Sequence, residues 1–379
     1  MLLALATAAD ACNVPVFRYA LERWPADPYD LVIFHEGPLA AEHQALLAEL
    51  EDRRIDTEYR VLPVDVSGEM RPEEKTLYEK AAPKQLPWLH VLYPGGRVSD
   101  PPAYSGPLSA QATRELTDSP LRREIARQIL QGESVVWLLL ESGDRLKDQA
   151  AARILRQELE RLEGELALPE LDAEDEQYLS GEGGPELKLS FSLLTLAREN
   201  QKEKMLVQIL ENWDPELSGD REPMAFALFG RGRVLGPLVG DEIHGENLEY
   251  ACGYLTGACS CQIKRENPGW DMLMRVDWEG VIQGYFTLAE ALPRLTTLAA
   301  VAEQNPITTP IVPPTLVATG APAAAPPAAS SAPTTVAAAP APPAGRMGPN
   351  VIAAVAVGIV FVALASLVLR RGPRDSSCP

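Results

Sequence analysis

Residues 86–98 read LPWLHVLYPGGRV and residues 222–234 read EPMAFALFGRGRV. The two stretches align without a gap. Each has proline second, then an apolar run, a glycine turn and a closing Gly-Arg-Val. Proline at the start of a strand leaves no N–H to satisfy there, and glycine accepts the backbone angles of a tight turn. The unit therefore reads as a β-hairpin. A chain that carries it twice is restricted to folds in which one larger motif recurs.

The flanking patterns bear this out. Ahead of the first copy, apolar spacing predicts a helix over 13–24, a strand over 29–37, a helix over 40–54 with Leu46, Leu47 and Leu50 on one face, a strand over 57–68 and a short helix over 72–82. The hairpin follows, with its two strands joined at Gly95-Gly96, and a helix over 109–117 closes the set. Ser119-Pro120 gives an N-cap and first residue to a helix over 120–130, with Gly132 as its stop. The order then restarts: strand 134–142, long amphipathic helix 145–166, strand 187–197, helix 202–213, the second hairpin and a helix over 245–257. Asp144 or Ser142 is expected to cap the long helix. The acidic stretch 168–186, with Asp172, Glu174, Asp175 and Glu176, lacks the glycine and alternation of a calcium loop and reads as a solvated insertion.

This order resembles the thioredoxin fold. Leu86-Pro87 and Glu222-Pro223 stand where that family places a proline, usually cis, before a strand. The run AYSGPLSAQATREL resembles the family's final strand and helix. The resemblance implies an α/β fold with two thioredoxin-like βαβαββα domains, at 12–118 and 134–303, joined by a linker helix at 119–133. Thioredoxin chemistry needs Cys-x-x-Cys at the helix that follows the first central strand, where the helix N-terminus favours the thiolate. Here that place reads His35-Glu36-Gly37-Pro38-Leu39 in the first half and Glu141-Ser142-Gly143-Asp144 in the second. Neither contains sulfur. The resemblance then implies a scaffold that has lost the family's redox activity and binds peptides or partner proteins, with Glu36, Gly37, Pro38, Pro87 and Pro223 as the candidate partner-binding turn.

Five cysteines lie elsewhere. Cys252 and Cys259 cannot pair along one continuous helix, because seven residues put them about 10 Å apart. If Gly257 ends the helix, the segment Ala258–Cys261 can fold back on Cys252. Cys12, Cys252, Cys259 and Cys261 are thus candidates for a disulfide, for a redox-active Cys-x-Cys or for a soft-metal site, with His244 as a fourth ligand. The spacing matches no standard zinc pattern, so no metal and no cofactor is expected. His35, His43 and His90 could approach one another near the old active-site end. They read more simply as a strand-end, a helix-surface and a packed histidine. No nucleophile elbow, phosphate loop or His-Glu-x-x-His occurs.

Charge and composition place the chain in the cell. The formal net charge is −19, which excludes the basic footprint of a nucleic-acid binder. Val351–Leu369 is a nineteen-residue run without charge, followed by Arg370, Arg371 and Arg374. Such a run spans a bilayer core, and the arginines put the tail, 371–379, on the cytoplasmic side. Residues 304–349 are an Ala/Pro-rich tract that cannot bury a core and reads as an extended stalk. Residues 1–11 are signal-like, ending Ala9-Asp10-Ala11. The expectation is a bacterial-type single-pass protein of the cytoplasmic membrane, with its span at 350–370 and its domains outside. It would act as a non-catalytic binding or scaffold module for another envelope protein or complex. A thiol-redox or metal-handling role through Cys252, Cys259 and Cys261 is the alternative.

Overall fold

Two sheets organise the chain in a computed structural model that describes residues 13–52, 58–96, 100–179, 185–217, 219–259 and 263–284. In the first, β1 (Tyr29–His35) runs parallel to β2 (Tyr59–Asp65) and antiparallel to β3 (Trp88–Leu92), and β3 runs antiparallel to β4 (Tyr104–Pro107), giving the order β2-β1-β3-β4. Helix α1 (Val16–Arg23) precedes β1. Helix α2 (Ala41–Asp52) connects β1 to β2, α3 (Pro72–Ala81) connects β2 to β3, and α4 (Ala110–Thr117) follows β4.

The second half repeats this path. β5 (Val135–Leu140) is parallel to β6 (Phe191–Leu196) and antiparallel to β7 (Met224–Phe229), which pairs with β8 (Arg233–Val239). The connecting helices are α6 (Arg145–Glu165) and α7 (Lys204–Asn212), and α8 (Gly245–Thr256) closes the set. Between the halves lies α5 (Pro120–Leu130), whose N-cap Ser119 accepts from Arg122 N as the sequence implies. The βαβαββα order expected from the resemblance is therefore present twice. Leu86–Pro87 is cis, whereas Glu222–Pro223 is not.

Alternation along β5 divides the core. Every residue of this strand is fully buried. Val136, Leu138 and Leu140 face a cluster that reaches into the first half through Tyr29, Leu31 and Leu89. Val135, Trp137 and Leu139 face α6 and α8. A strand buried on both faces has no polar side to show, which is why it reads VVWLLL.

Four features depart from the sequence reading. The first hairpin does not close at Gly95-Gly96. Its second strand begins at Tyr104, so that His90 faces Ser105, while in the second copy Phe229 faces Arg233 directly after the turn. In the second copy the Gly-Arg-Val starts the strand, whereas residues 97–99 of the first copy lie outside the described residues. What fixes β4 is its register on buried β3, where Ala103 N donates to Val91 O (2.8 Å).

Helix α1, although it opens the first half, packs on the second sheet. Phe17, Ala20 and Trp24 join Trp137, Leu139 and Ala227 in one cluster. Val16 N donates to Gly257 O and Cys259 N to Val14 O, both at 3.0 Å. Gly230, in the β7–β8 turn at φ +57°, lets this helix approach, since a Cβ there would stand 2.7 Å from that of Ala20.

The third departure is a C-terminal strap. β9 (Trp270–Asp271) adds to β8, with Arg233 opposite Asp271, and α9 (Trp278–Ile282) follows. Buried Asp271 pairs with Arg233 (3.2 Å) and Lys264, its carboxylate accepts from Asp27 N (2.7 Å), and its carbonyl accepts from Tyr29 Oη (2.9 Å). Burial raises its carboxyl pKa, with Lys264 opposing.

Finally, the acidic insertion is anchored rather than wholly solvated. Asp175 is 4% exposed and accepts from Asn13 N (2.8 Å) and Asn13 Nδ2 (3.1 Å). Among the described residues no helix is long and apolar enough to cross a membrane. The signal-like segment, the stalk, the span at 350–370 and the tail lie outside the described residues.

Candidate functional site

Phe34, near the end of β1, pairs with Trp88, the first residue of β3. The turn after β1 and Pro87 before β3 therefore share one end of the first sheet. Glu36 and Pro38 are exposed, Pro87 is half-buried, and Gly37 takes φ +61°. The turn is tied to β2. Gly37 N donates to Asp65 Oδ1 (3.0 Å), which also accepts from Ser67 N (3.0 Å) and Ser67 Oγ (2.7 Å). The Ser67 hydroxyl, followed by these N–H groups, lowers the Asp65 carboxyl pKa.

The second half builds the same arrangement. Leu140 at the end of β5 faces Met224 at the start of β7, so the 141–144 turn and Pro223 share an end. Pro223 is buried, unlike Pro87. Asp148, in the first turn of α6 and 7% exposed, accepts from Ser142 N (2.6 Å), Ser142 Oγ (2.6 Å) and Gly143 N (3.1 Å). Asp144 caps the helix through Leu146 N (2.9 Å). Glu141 sits behind this turn with its carboxyl pKa raised, first by burial and then by Asp148 and Glu199.

In the first half, then, a carboxylate on β2 takes one backbone N–H of the turn, and in the second half a carboxylate on α6 takes two. A thiolate placed in either turn would have to compete for these N–H groups. A carboxylate in that place holds any nearby thiol protonated, by like-charge repulsion. The sequence carried a trace of the first: Asp65-Val66-Ser67-Gly68 is Asx-turn chemistry. Asp148 is harder to find, because its partners lie five and six residues back in a turn whose shape depends on β5.

A groove of about 1070 Å³ opens beside Pro223, between α6 and the segment that joins β8 to α8. Ala150, Ile154, Trp213 and Val239 give it apolar lining, together with Pro223 itself. Leu146, one helical turn before Ala150, is 74% exposed. β9 covers only Arg233 and Val234 of β8, and Gly236, Pro237 and Val239 further along that strand line the groove.

The cysteines do not form a reactive centre among the described residues. Cys252 is a free thiol, fully buried on α8, and burial pushes it up to about 12. Cys252 and Cys259 are not bridged. Past Gly257 the chain leaves α8 to pair with residues 14–16, which carries Cys259, itself 1% exposed, toward Val14. Cys12 and Cys261 lie outside the described residues. Among the described residues no three His, Cys, Asp or Glu side chains are grouped to hold a metal.

The histidines are held separately. His35 Nδ1 lies 2.8 Å from Gly37 O, and His43 is on α2. His90 is 4% exposed with Nδ1 3.0 Å from Ser105 Oγ, and burial, then Lys80, lower its pKa to about 4.

No family model and no curated protein sequence matches the chain. Among solved structures it is similar to the first two thioredoxin domains of Naumovozyma dairenensis Eps1p, at 11% identity over 56% of this chain and 83% of that one, with a TM-score of 0.18. The likeness to the thioredoxin fold is one of strand order and connections.

Proposed function

We propose that this chain is a non-catalytic, membrane-anchored, extracytoplasmic binding module built on two thioredoxin-like domains, and that it captures an extended peptide segment of a partner envelope protein at the Pro223 end of the second sheet. The observation that carries this reading is the pair of carboxylates, Asp65 and Asp148, on the turn N–H groups where the family's thiolate would form. The scaffold's anion site is filled from within, and what remains accessible is a groove with an apolar lining, with exposed Leu146 one helical turn before its lining residue Ala150. The high pKa and complete burial of Cys252 speak for packing rather than thiol exchange at that position. Val351–Leu369 supplies the anchor in this reading.

Two measurements test it. A disulfide-exchange assay on the full-length protein should give the uncatalysed rate, and native alkylation should leave Cys252 unlabelled until denaturant is added. In a peptide-binding assay, Leu146→Glu should weaken binding at least tenfold while leaving the unfolding midpoint unchanged, because the side chain is exposed. Catalysed exchange, or binding indifferent to Leu146, would remove the proposal.

A further inference from the structure

The groove beside Pro223 has a charge as well as a shape. Asp214, Glu216, Asp220, Glu222, Asp241 and Glu242 line it, and among the described residues lining it Lys147 is the one lysine or arginine. Lys147 is already paired with Glu222. Asp214 and Asp220 each use one oxygen to accept a backbone N–H, from Glu216 N (2.9 Å) and Glu222 N (2.7 Å). Glu242 accepts from Val239 N (3.0 Å). These bonds fix the carboxylates in place without neutralising them.

Six carboxylates against one ammonium leave a strongly negative rim over an apolar lining. An acidic or neutral apolar ligand would meet either repulsion or an uncompensated desolvation cost there. Fixed like charges attract and orient a cationic chain, and steer it in from solution. The apolar lining asks that the same ligand carry aliphatic or aromatic side chains between its charges. Pro237 lacks an N–H and interrupts the donor row of β8, so discrimination must come chiefly from side chains rather than from a full strand ladder.

We infer that the groove selects a basic extended peptide in which lysine or arginine alternates with apolar residues. This rests on the binding reading above and adds to it the chemical class of the partner.

The test uses full-length protein and three fluorescent ten-residue peptides with leucine at alternate positions and lysine, serine or glutamate between. The lysine peptide should bind at least tenfold more tightly than the serine peptide, and the glutamate peptide should bind least. Raising salt from about 0.05 to 0.3 M should remove most of the advantage, as screening of an exposed acidic rim requires. The triple variant D214N/D220N/D241N keeps the backbone caps and should abolish the preference. A triple variant at exposed positions on the first half, E42Q/E51Q/E79Q, should preserve it. Equal binding of lysine and serine peptides would overturn the charge selection and leave the binding reading standing. Absence of binding by all three would overturn both. Loss of preference in the distant variant would show a long-range field effect and overturn the groove as the selector.

Discussion

Trp270 stacks on Trp213 with ring centroids 4.8 Å apart and planes 20° from parallel, and Tyr93 meets both rings edge-on at 5.6 and 5.2 Å. Each ring comes from a different part of the chain: the strap, the segment after α7, and the loop after β3. Tyr93 Oη also donates to Ile209 O across the boundary (2.5 Å). The cluster is therefore a joint between the two halves, and its bonds are made by side chains too far apart in sequence for local pattern to reveal them.

Replacing Trp270 by alanine should cost about 3–5 kcal/mol, the usual range for a buried aromatic. Because the ring belongs to both halves, the loss should appear as a single shifted transition in guanidinium unfolding followed by circular dichroism. Two separated transitions, with only one displaced, would show that the joint does not couple the halves.

The glycine turns after β3 and β7 give an internal control. Gly95 has φ +65° and open space around its Cβ position, whereas Gly230 at φ +57° faces Ala20 at 2.7 Å. Gly95→Ala should cost roughly 1–2 kcal/mol, from left-handed backbone alone. Gly230→Ala adds displacement of α1 and should cost measurably more. Thermal unfolding of the pair checks the order.

His90 makes stability depend on acidity. Its folded pKa of about 4 lies below its ordinary 6.5, so the unfolded chain takes up the proton more readily. Its contribution is complete above pH 6.5 and is lost as pH falls toward 4, amounting to roughly 3 kcal/mol. His90→Gln should flatten the stability profile across that window in urea titrations at successive pH values.

Glu141 works in the opposite sense. Its folded pKa is raised, so the folded state holds the proton longer than the unfolded chain, and stability falls as pH rises through and just above the ordinary carboxylate range. Glu141→Gln removes that penalty. The variant should match the parent at low pH and exceed it at neutral pH in the same titrations.

The filled anion site can be probed by putting sulfur back. Ser142→Cys places a thiol beside Asp148 and Glu141, and its pKa should not fall below the ordinary value near 8.5. Adding Asp148→Asn frees the turn's N–H groups from a negative competitor and should lower that pKa. The pH dependence of alkylation rate reports both values.

Much of the framework was legible. Ser119-Pro120, the apolar run VVWLLL and the Asp144 cap are local signals, and each structure formed where its chemistry predicted. The location of β4 was not legible, because nothing in the run Tyr104–Pro107 marks it locally and it is set by pairing with buried β3. The packing of α1 was hidden for a related reason. Its apolar face is equally compatible with either sheet, and its choice is settled by Gly230 and Gly257, far along the chain. At the candidate site the prolines and sulfur-free turns could be read, while the role of Asp148 depends on the turn that β5 shapes, and the acidic groove arises from convergence of α6 with the segments around β7 and β8.

The seating of the first helix on the second sheet sets an order of events for biosynthesis. Val16 cannot reach its acceptor on Gly257 until nearly the whole globular region has left the ribosome. The emerging N-terminal half must therefore wait with an apolar helix uncovered, and contacts of such long sequence separation form slowly. A chaperone that shields residues 16–24 during synthesis would act at the point where this protein is most exposed to aggregation.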